Sequence, residues 1–115
     1  MSDAFSAALS ALGSLFRKMD VTANNIANVN TNGFKKNRAD FEDIYPSGVK
    51  VSISQVDTPG DPLPPDEKGK EQESSNVNLA EELVNLITTQ HALAANIKTI
   101  TTEDEMRKAL LDIVA

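Results

Sequence analysis

Two stretches of this 115-residue chain, one toward each end, repeat apolar residues in alternating steps of four and three. Phe5, Leu9, Leu12, Phe16, Met19, Ala23 and Ile26 form the first series without a break. Leu79, Leu83, Leu86, Gln90, Leu93, Ile97 and Ile100 form the second, in which Gln90 alone is polar. Such spacing aligns side chains along one stripe of an α-helix and along no face of a strand. A stripe of this kind needs an apolar cover, and the nearest one is the other stripe. If the middle folds back on itself, the helices lie antiparallel, with both ends of the chain at one end of the molecule. The expected fold is mainly α: long N- and C-terminal helices packed as an antiparallel coiled coil, with a short β/loop middle segment. Residues 1–33 and 76–115 are expected to form one helical domain, and 34–75 an insert.

The first helix is expected over about residues 4–30. Ser2 or Asp3 can cap its start, and Asn28, Asn30, Asn32 and Gly33 crowd its end with residues that tolerate left-handed backbone. Gly13 costs about 1 kcal/mol relative to Ala in mid-helix, and a close helix crossing is its expected reason. The second helix is expected over 78–114, with Asn78 as N-cap and Glu81 at the third helical position. Past Ile100 the series falls on Asp104 and Arg107 and recovers at Leu111 and Val114, while Met106, Leu110 and Ile113 open a second stripe. The expectation is one long helix or a gentle break near Thr101. Between the helices, Val49, Val51 and Ile53 alternate with Lys50, Ser52 and Ser54, as in a half-exposed strand. A partner strand is expected near residues 39–45. Residues 58–75 are rich in Pro, Gly and charge, and read as loop or disorder.

The stripes are wider than one helix pair can cover, since Ala8, Leu15, Ile87 and Ala94 flank them. Uncovered apolar flanks predict neighbours, and so self-assembly. The chain has only four Phe, one Tyr and no Trp, which suits helix pairs better than a globule around a cavity. Lys plus Arg number 11 and Asp plus Glu 17, a formal charge of −6. An acidic chain repels phosphate backbones, and the one basic cluster, Lys35, Lys36 and Arg38, reads as a solvated turn, so no nucleic acid is expected. No apolar run is long enough to span a membrane. The first residues lack the basic start and apolar block of a cleaved signal peptide, so any export is expected to use a route that needs none.

Catalytic chemistry finds no purchase in these residues. The chain has no cysteine and one histidine, His91, so a zinc site would have to be built mostly from carboxylates. The carboxylates cluster in loops and at helix ends, without a pair held in a cleft. No phosphate-binding or nucleophile motif occurs. The expectation is no enzyme, no cofactor and no metal. The unusual feature is asparagine: Asn24, Asn25, Asn28, Asn30 and Asn32 lie at the end of the first helix. Asn30 and Asn32 fit a frayed terminus. Asn24 and Asn25 fall inside the regular series, where amides either bond across an interface and set its register or face water.

The segment from Ala23 through Asn24-Asn25-Ile26-Ala27-Asn28-Val29-Asn30-Thr31-Asn32-Gly33 to Phe34-Lys35-Lys36 closely resembles the N-terminal signature of the flagellar rod and hook protein family. The run Ser75-Asn76-Val77-Asn78-Leu79-Ala80-Glu81-Glu82-Leu83-Val84-Asn85-Leu86-Ile87, with Ala95-Asn96 downstream, resembles the family's C-terminal signature. The short middle, with Gly48-Val49-Lys50-Val51-Ser52 and Asp57-Thr58-Pro59-Gly60-Asp61-Pro62, looks most like the small proximal-rod members. The resemblance implies a structural subunit of the bacterial flagellar basal-body rod. Its implied partners are other rod subunits and itself in a helical assembly, and the flagellar type III export apparatus. Its implied place is the periplasm-spanning rod, reached without a cleaved signal. The assembly interface expected on this reading comprises Phe5, Leu9, Leu12, Phe16, Met19 and Ile26 on the first helix and Leu83, Leu86, Leu93, Ile97 and Ile100 on the second. Asn24, Asn25, Asn28 and Asn30 are expected to set register. The alternative is a small acidic helical chaperone or adaptor of the flagellar secretion system, binding partner helices through the same stripes.

Overall fold

The computed structural model describes residues 2–114, in the order α1 (Ser2–Ala27), β1 (Asn37–Asp43), β2 (Val49–Gln55), β3 (Pro62–Leu63), β4 (Gln72–Glu73) and α2 (Leu79–Val114). The side chains of Ser2 and Asp3, the expected caps of α1, lie outside the described ones. The helices pack on each other and run antiparallel. The Arg107 guanidinium sits 4.6 Å from the centre of the Phe5 ring, and Asn96 Nδ2 donates to the Ala8 carbonyl at 2.6 Å. At the other end of the pair, Thr22 and Asn25 share a groove with Glu82 and Asn85. The molecule measures 77 × 25 × 16 Å. At 1.5 Å per residue α2 accounts for about 54 Å of that length.

Helix limits follow local chemistry. Asn78 caps α2, its Oδ1 accepting from the Glu81 backbone N–H at 3.2 Å, and α2 then continues through Thr101 without a break. Thr101 does not cap a separate helix, because its hydroxyl donates back to the Ile97 carbonyl at 3.0 Å. The first helix stops at Ala27, three residues earlier than its spacing predicts. Here Asn28 Nδ2 donates to the Asn24 carbonyl at 2.9 Å, and the Thr31 hydroxyl donates to Asn28 Oδ1 at 3.1 Å. These local bonds compete with helix continuation. No asparagine among the described residues takes the left-handed backbone, which falls to Gly33 (φ 74°). Nothing approaches Gly13 within 4 Å of where a Cβ would stand, so the expected close crossing is absent and the structure does not explain that glycine.

The seam between the helices is rotated from the one that the apolar series predicts. On α1 the column Phe5, Leu12, Met19 and Ile26 is half-buried as expected, but Leu9, Phe16 and Ala23 are exposed. Ala8, Leu15 and Thr22 are buried instead. On α2 Leu86, Leu93 and Ile100 face inward, while Leu79, Leu83, Gln90 and Ile97 are exposed. Their places are taken by Glu82, Thr89 and Glu103, all buried, and half-buried Asn96. Each helix has turned by one heptad column, about 50°.

The hairpin supplies the cause on α1. β1 pairs with β2 antiparallel, Asn37 opposite Gln55 through Asp43 opposite Val49; the partner strand thus starts and ends two residues earlier than expected. Both strands pack on α1. Ser14 Oγ donates to the Val49 carbonyl at 3.0 Å and Ser10 Oγ accepts from the Val49 N–H at 3.0 Å, holding the tip. At the base, Asn25 Oδ1 accepts from the Asn37 N–H at 3.0 Å and Asn25 Nδ2 donates to the Asn37 carbonyl at 2.8 Å. Gly48 (φ 114°) lets the tip lie this close, since a Cβ there would meet Ser10 Oγ at 3.0 Å. With Ser10, Ser14 and Asn25 committed to the hairpin, the rotation of α1 is fixed.

Residues 58–75 are mostly loop, as their composition predicts, and hold one short ribbon. β3 and β4 pair as a short ribbon, Pro62 opposite Glu73 and Leu63 opposite Gln72, which packs on neither helix. Asp66 Oδ1 accepts from the Lys68 and Lys70 N–H groups, each at 2.9 Å, and so closes its turn. At the base, Ser74 N donates to the Asp61 carbonyl at 2.8 Å and Lys35 forms an ion pair with Glu73. Composition signals turns, but it does not show that side chains elsewhere hold the two turn-rich halves together.

Candidate assembly interface

A junction is the first element of the site. Here the end of α1, the hairpin base, the ribbon base and the start of α2 converge on two asparagines. Asn25, 1% exposed, spends both amide groups on Asn37. Asn76 Oδ1 accepts from the Lys36 N–H at 2.7 Å, and its Nδ2 donates to the Val56 and Thr58 carbonyls at 2.8 and 2.9 Å. Each side chain acts as a short piece of backbone, satisfying peptide groups that the two-stranded sheet leaves open. The other asparagines do not converge here. Asn24 and Asn30 are exposed, and Asn28 bonds within its own turn.

The second element is a bare apolar face. At about 100° per residue, Leu9 and Phe16 stand roughly 90° clockwise from the direction of α2, viewed from the N-terminus of α1. Leu83 and Ile97 stand roughly 90° clockwise from the direction of α1, viewed from the N-terminus of α2. In an antiparallel pair, equal clockwise offsets open on the same side. The exposed columns therefore form one face, extended by Ile87 at 54% exposure. Ser14 and Asn25 point roughly the opposite way and Ser10 about 100° from Leu9, so the hairpin lies away from these columns. The α2 tail adds exposed Met106, Leu110, Leu111, Ile113 and Val114.

The residues expected at an assembly interface thus divide in two. Leu9, Phe16, Leu83 and Ile97 lie exposed on the bare face. Phe5, Leu12, Met19, Ile26, Leu86, Leu93 and Ile100 are buried or half-buried toward the chain's own other elements. Sequence reasoning assigned no role to Ser10, Ser14, Asn76 and Asn96, which hold the elements together. The four-residue spacing of the serines was the available signal, since it puts two hydroxyls on one helix face. His91 is exposed. Among the described residues, no helix is long and apolar enough to cross a membrane.

Two family models match the chain, one at each helix. The family described as "Flagella basal body rod protein" matches residues 5–35, and that described as "Flagellar basal body rod FlgEFG protein C-terminal" matches residues 70–113. The flagellar hook protein FlgE of Borreliella burgdorferi is 52% identical over 44 residues, 38% of this chain and 9% of that protein. The flagellar basal-body rod protein FlgG of Buchnera aphidicola is 58% identical over 38 residues, 33% of this chain and 15% of that protein. FlgG of Caulobacter vibrioides is 41% identical over 46 residues, 40% of this chain and 18% of that protein. The chain thus spans less than a fifth of the length of each relative. The two matches keep their order along the chain and fall on the helices that pair, and on that ground the chain belongs to the flagellar basal-body rod FlgEFG family of structural, non-enzymatic axial proteins.

Proposed function

We propose that this chain is a structural subunit of the flagellar basal-body rod, assembling helically with itself and with other rod subunits through its terminal helices. The observation that carries this reading is the bare apolar face of the helix pair. Exposed Leu9, Phe16, Leu83, Ile87 and Ile97 lie on one side of a molecule only 16 Å across in its thinnest direction. A face of this kind is covered by neighbours in the working state. The α2 tail extends the same demand, since its exposed Leu, Ile and Val side chains far outnumber what α1 can reach. Residues 34–75 act as a brace on the opposite side, and 1–33 with 76–115 as the assembling unit. The family match supports export by the flagellar apparatus and a place in the periplasm-spanning rod.

The test is an immunoblot of purified hook–basal bodies beside cytoplasm and culture supernatant, with wild type and Leu83→Asp. Enrichment of wild type in basal bodies, with the variant exported but not incorporated, is the expected result. Confinement of the wild type to the cytoplasm would sink the rod reading and favour a chaperone or adaptor of the secretion system. Normal incorporation of the variant would remove the bare face from the interface.

A further inference from the structure

Asn32 and Gly33 form the one Asn-Gly pair in the chain. In such a pair the side-chain amide condenses most readily with the next backbone nitrogen, because glycine puts no side chain in the way. Every other asparagine precedes a bulkier residue, and the amides of Asn25, Asn28 and Asn76 are engaged in hydrogen bonds. Asn32 is exposed. The fold acts on the other reactant, the backbone nitrogen of Gly33. Residues 31–34 make a turn closed by the Phe34 N–H, which donates to the Thr31 carbonyl at 3.1 Å, with Gly33 (φ 74°) as its third residue. The Gly33 N–H itself donates to the Glu73 carbonyl at 2.9 Å, at the base of the ribbon. To attack, that nitrogen must give up its proton and turn its peptide plane toward the Asn32 side chain. The bond to Glu73 holds the proton, and the turn bond holds the plane.

We infer that Asn32 is a site of spontaneous deamidation gated by the junction: closed while the ribbon base is seated on Gly33, and open whenever it is not. In the reaction the Gly33 nitrogen, deprotonated by hydroxide, bonds to Asn32 Cγ. The Cγ–Nδ2 bond breaks, and ammonia leaves with a proton taken from water. Water then opens the succinimide at either carbonyl and leaves aspartate or isoaspartate, with nothing oxidised or reduced. The isoaspartate product carries an extra methylene in the main chain, which shifts the residues after it against their partners. Three bonds lie directly in the path of that shift. They are the Gly33 N–H to the Glu73 carbonyl, the Asn76 N–H to the Phe34 carbonyl at 3.2 Å, and the Lys36 N–H to Asn76 Oδ1 at 2.7 Å. A chain that reacts while open therefore loses the means to tie the end of α1 to the ribbon base and the start of α2. The modification marks chains that have stayed unfolded, and folding protects the rest.

The experiment incubates the purified full chain in mildly alkaline buffer, folded and in urea. Deamidation is located by mass spectrometry of proteolytic fragments, and isoaspartate is measured by methyltransferase labelling. In urea Asn32 should react ahead of every other asparagine. In the folded chain it should react at least about tenfold more slowly, since the reaction there waits on local opening. Asn76→Ala frees the Lys36 N–H and the Val56 and Thr58 carbonyls, and should raise the folded-state rate toward that in urea. Circular dichroism checks that this variant keeps its helices; if it does not, Lys35→Ala, which removes the ion pair to Glu73 at the same base, takes its place. Asn32→Gln should stay unmodified at that position in both conditions. Chains carrying isoaspartate, returned to native buffer, should exchange the Gly33 and Asn76 amide hydrogens faster than unmodified chains. Reaction in urea that spares Asn32 would overturn the site. Equal rates in the folded chain and in urea would overturn the gating, and unchanged exchange in the isoaspartate chains would overturn its effect on the junction.

Discussion

The side of α2 that meets α1 is more polar than the side that meets nothing. Toward its partner helix α2 presents Glu82, Thr89, Asn96 and Glu103 at seven-residue intervals, beside Leu86, Leu93 and Ile100. Away from it stand Leu83, Ile87 and Ile97. The polar column is only partly answered. Thr89 bonds back to the Asn85 carbonyl at 2.7 Å and Asn96 reaches Ala8, but Glu103 Oε1 is buried without a hydrogen bond, with Arg107 3.8 Å away. A chain selected to be stable alone would place the stripes the other way round. The difference teaches that the intrachain contact is a compromise, and that it leaves the more apolar surface uncovered.

Four substitutions test that contrast, from the largest effect on the stability of the isolated chain to the smallest. Leu93→Ala removes the most buried large apolar side chain of α2 and should cost about 3 kcal/mol in urea unfolding. Asn25→Ala strands the Asn37 N–H and carbonyl, and should cost about 2 kcal/mol while freeing the hairpin base. Hydrogen exchange at Asn37 should rise with it; slow exchange there would show that water or another side chain replaces the amide. Glu103→Met exchanges a poorly answered buried carboxylate for a side chain of similar length, and should stabilise the helix pair by about 1 kcal/mol. A loss of stability instead would show the Arg107 pair to be stronger than its separation implies. Leu83→Asp on the bare face should change stability by no more than about 0.5 kcal/mol while abolishing assembly. If it costs as much as Leu93→Ala, the two sides of the helix pair are not different and the contrast fails.

Much of the fold was legible in the residues. The four–three steps located both helices, Asn78 with Glu81 located the start of α2, and the alternation at Val49–Val51–Ile53 located a strand. The ribbon was not legible, because its cohesion lies in Ser74, Asp66 and Lys35, each of which reads by itself as a solvated loop residue. The use of Asn25 was half legible. Its place inside the apolar series set it apart, but which group it would meet depended on a hairpin twelve residues away.

By itself the sequence determined that two long amphipathic helices would form and pair, because helical periodicity is a property of neighbouring residues. It also determined the apolar surplus, since the stripes on α1 and α2 exceed what one partner covers. Which edge of each stripe turns inward was decided only by the tertiary structure. A stripe wider than its partner can be rotated by a heptad column at small hydrophobic cost, so periodicity leaves the angle open. Directional bonds close it: Ser10, Ser14 and Asn25 hold the hairpin to one side of α1, Asn96 reaches the Ala8 carbonyl, and the remaining apolar columns are left together on the other side.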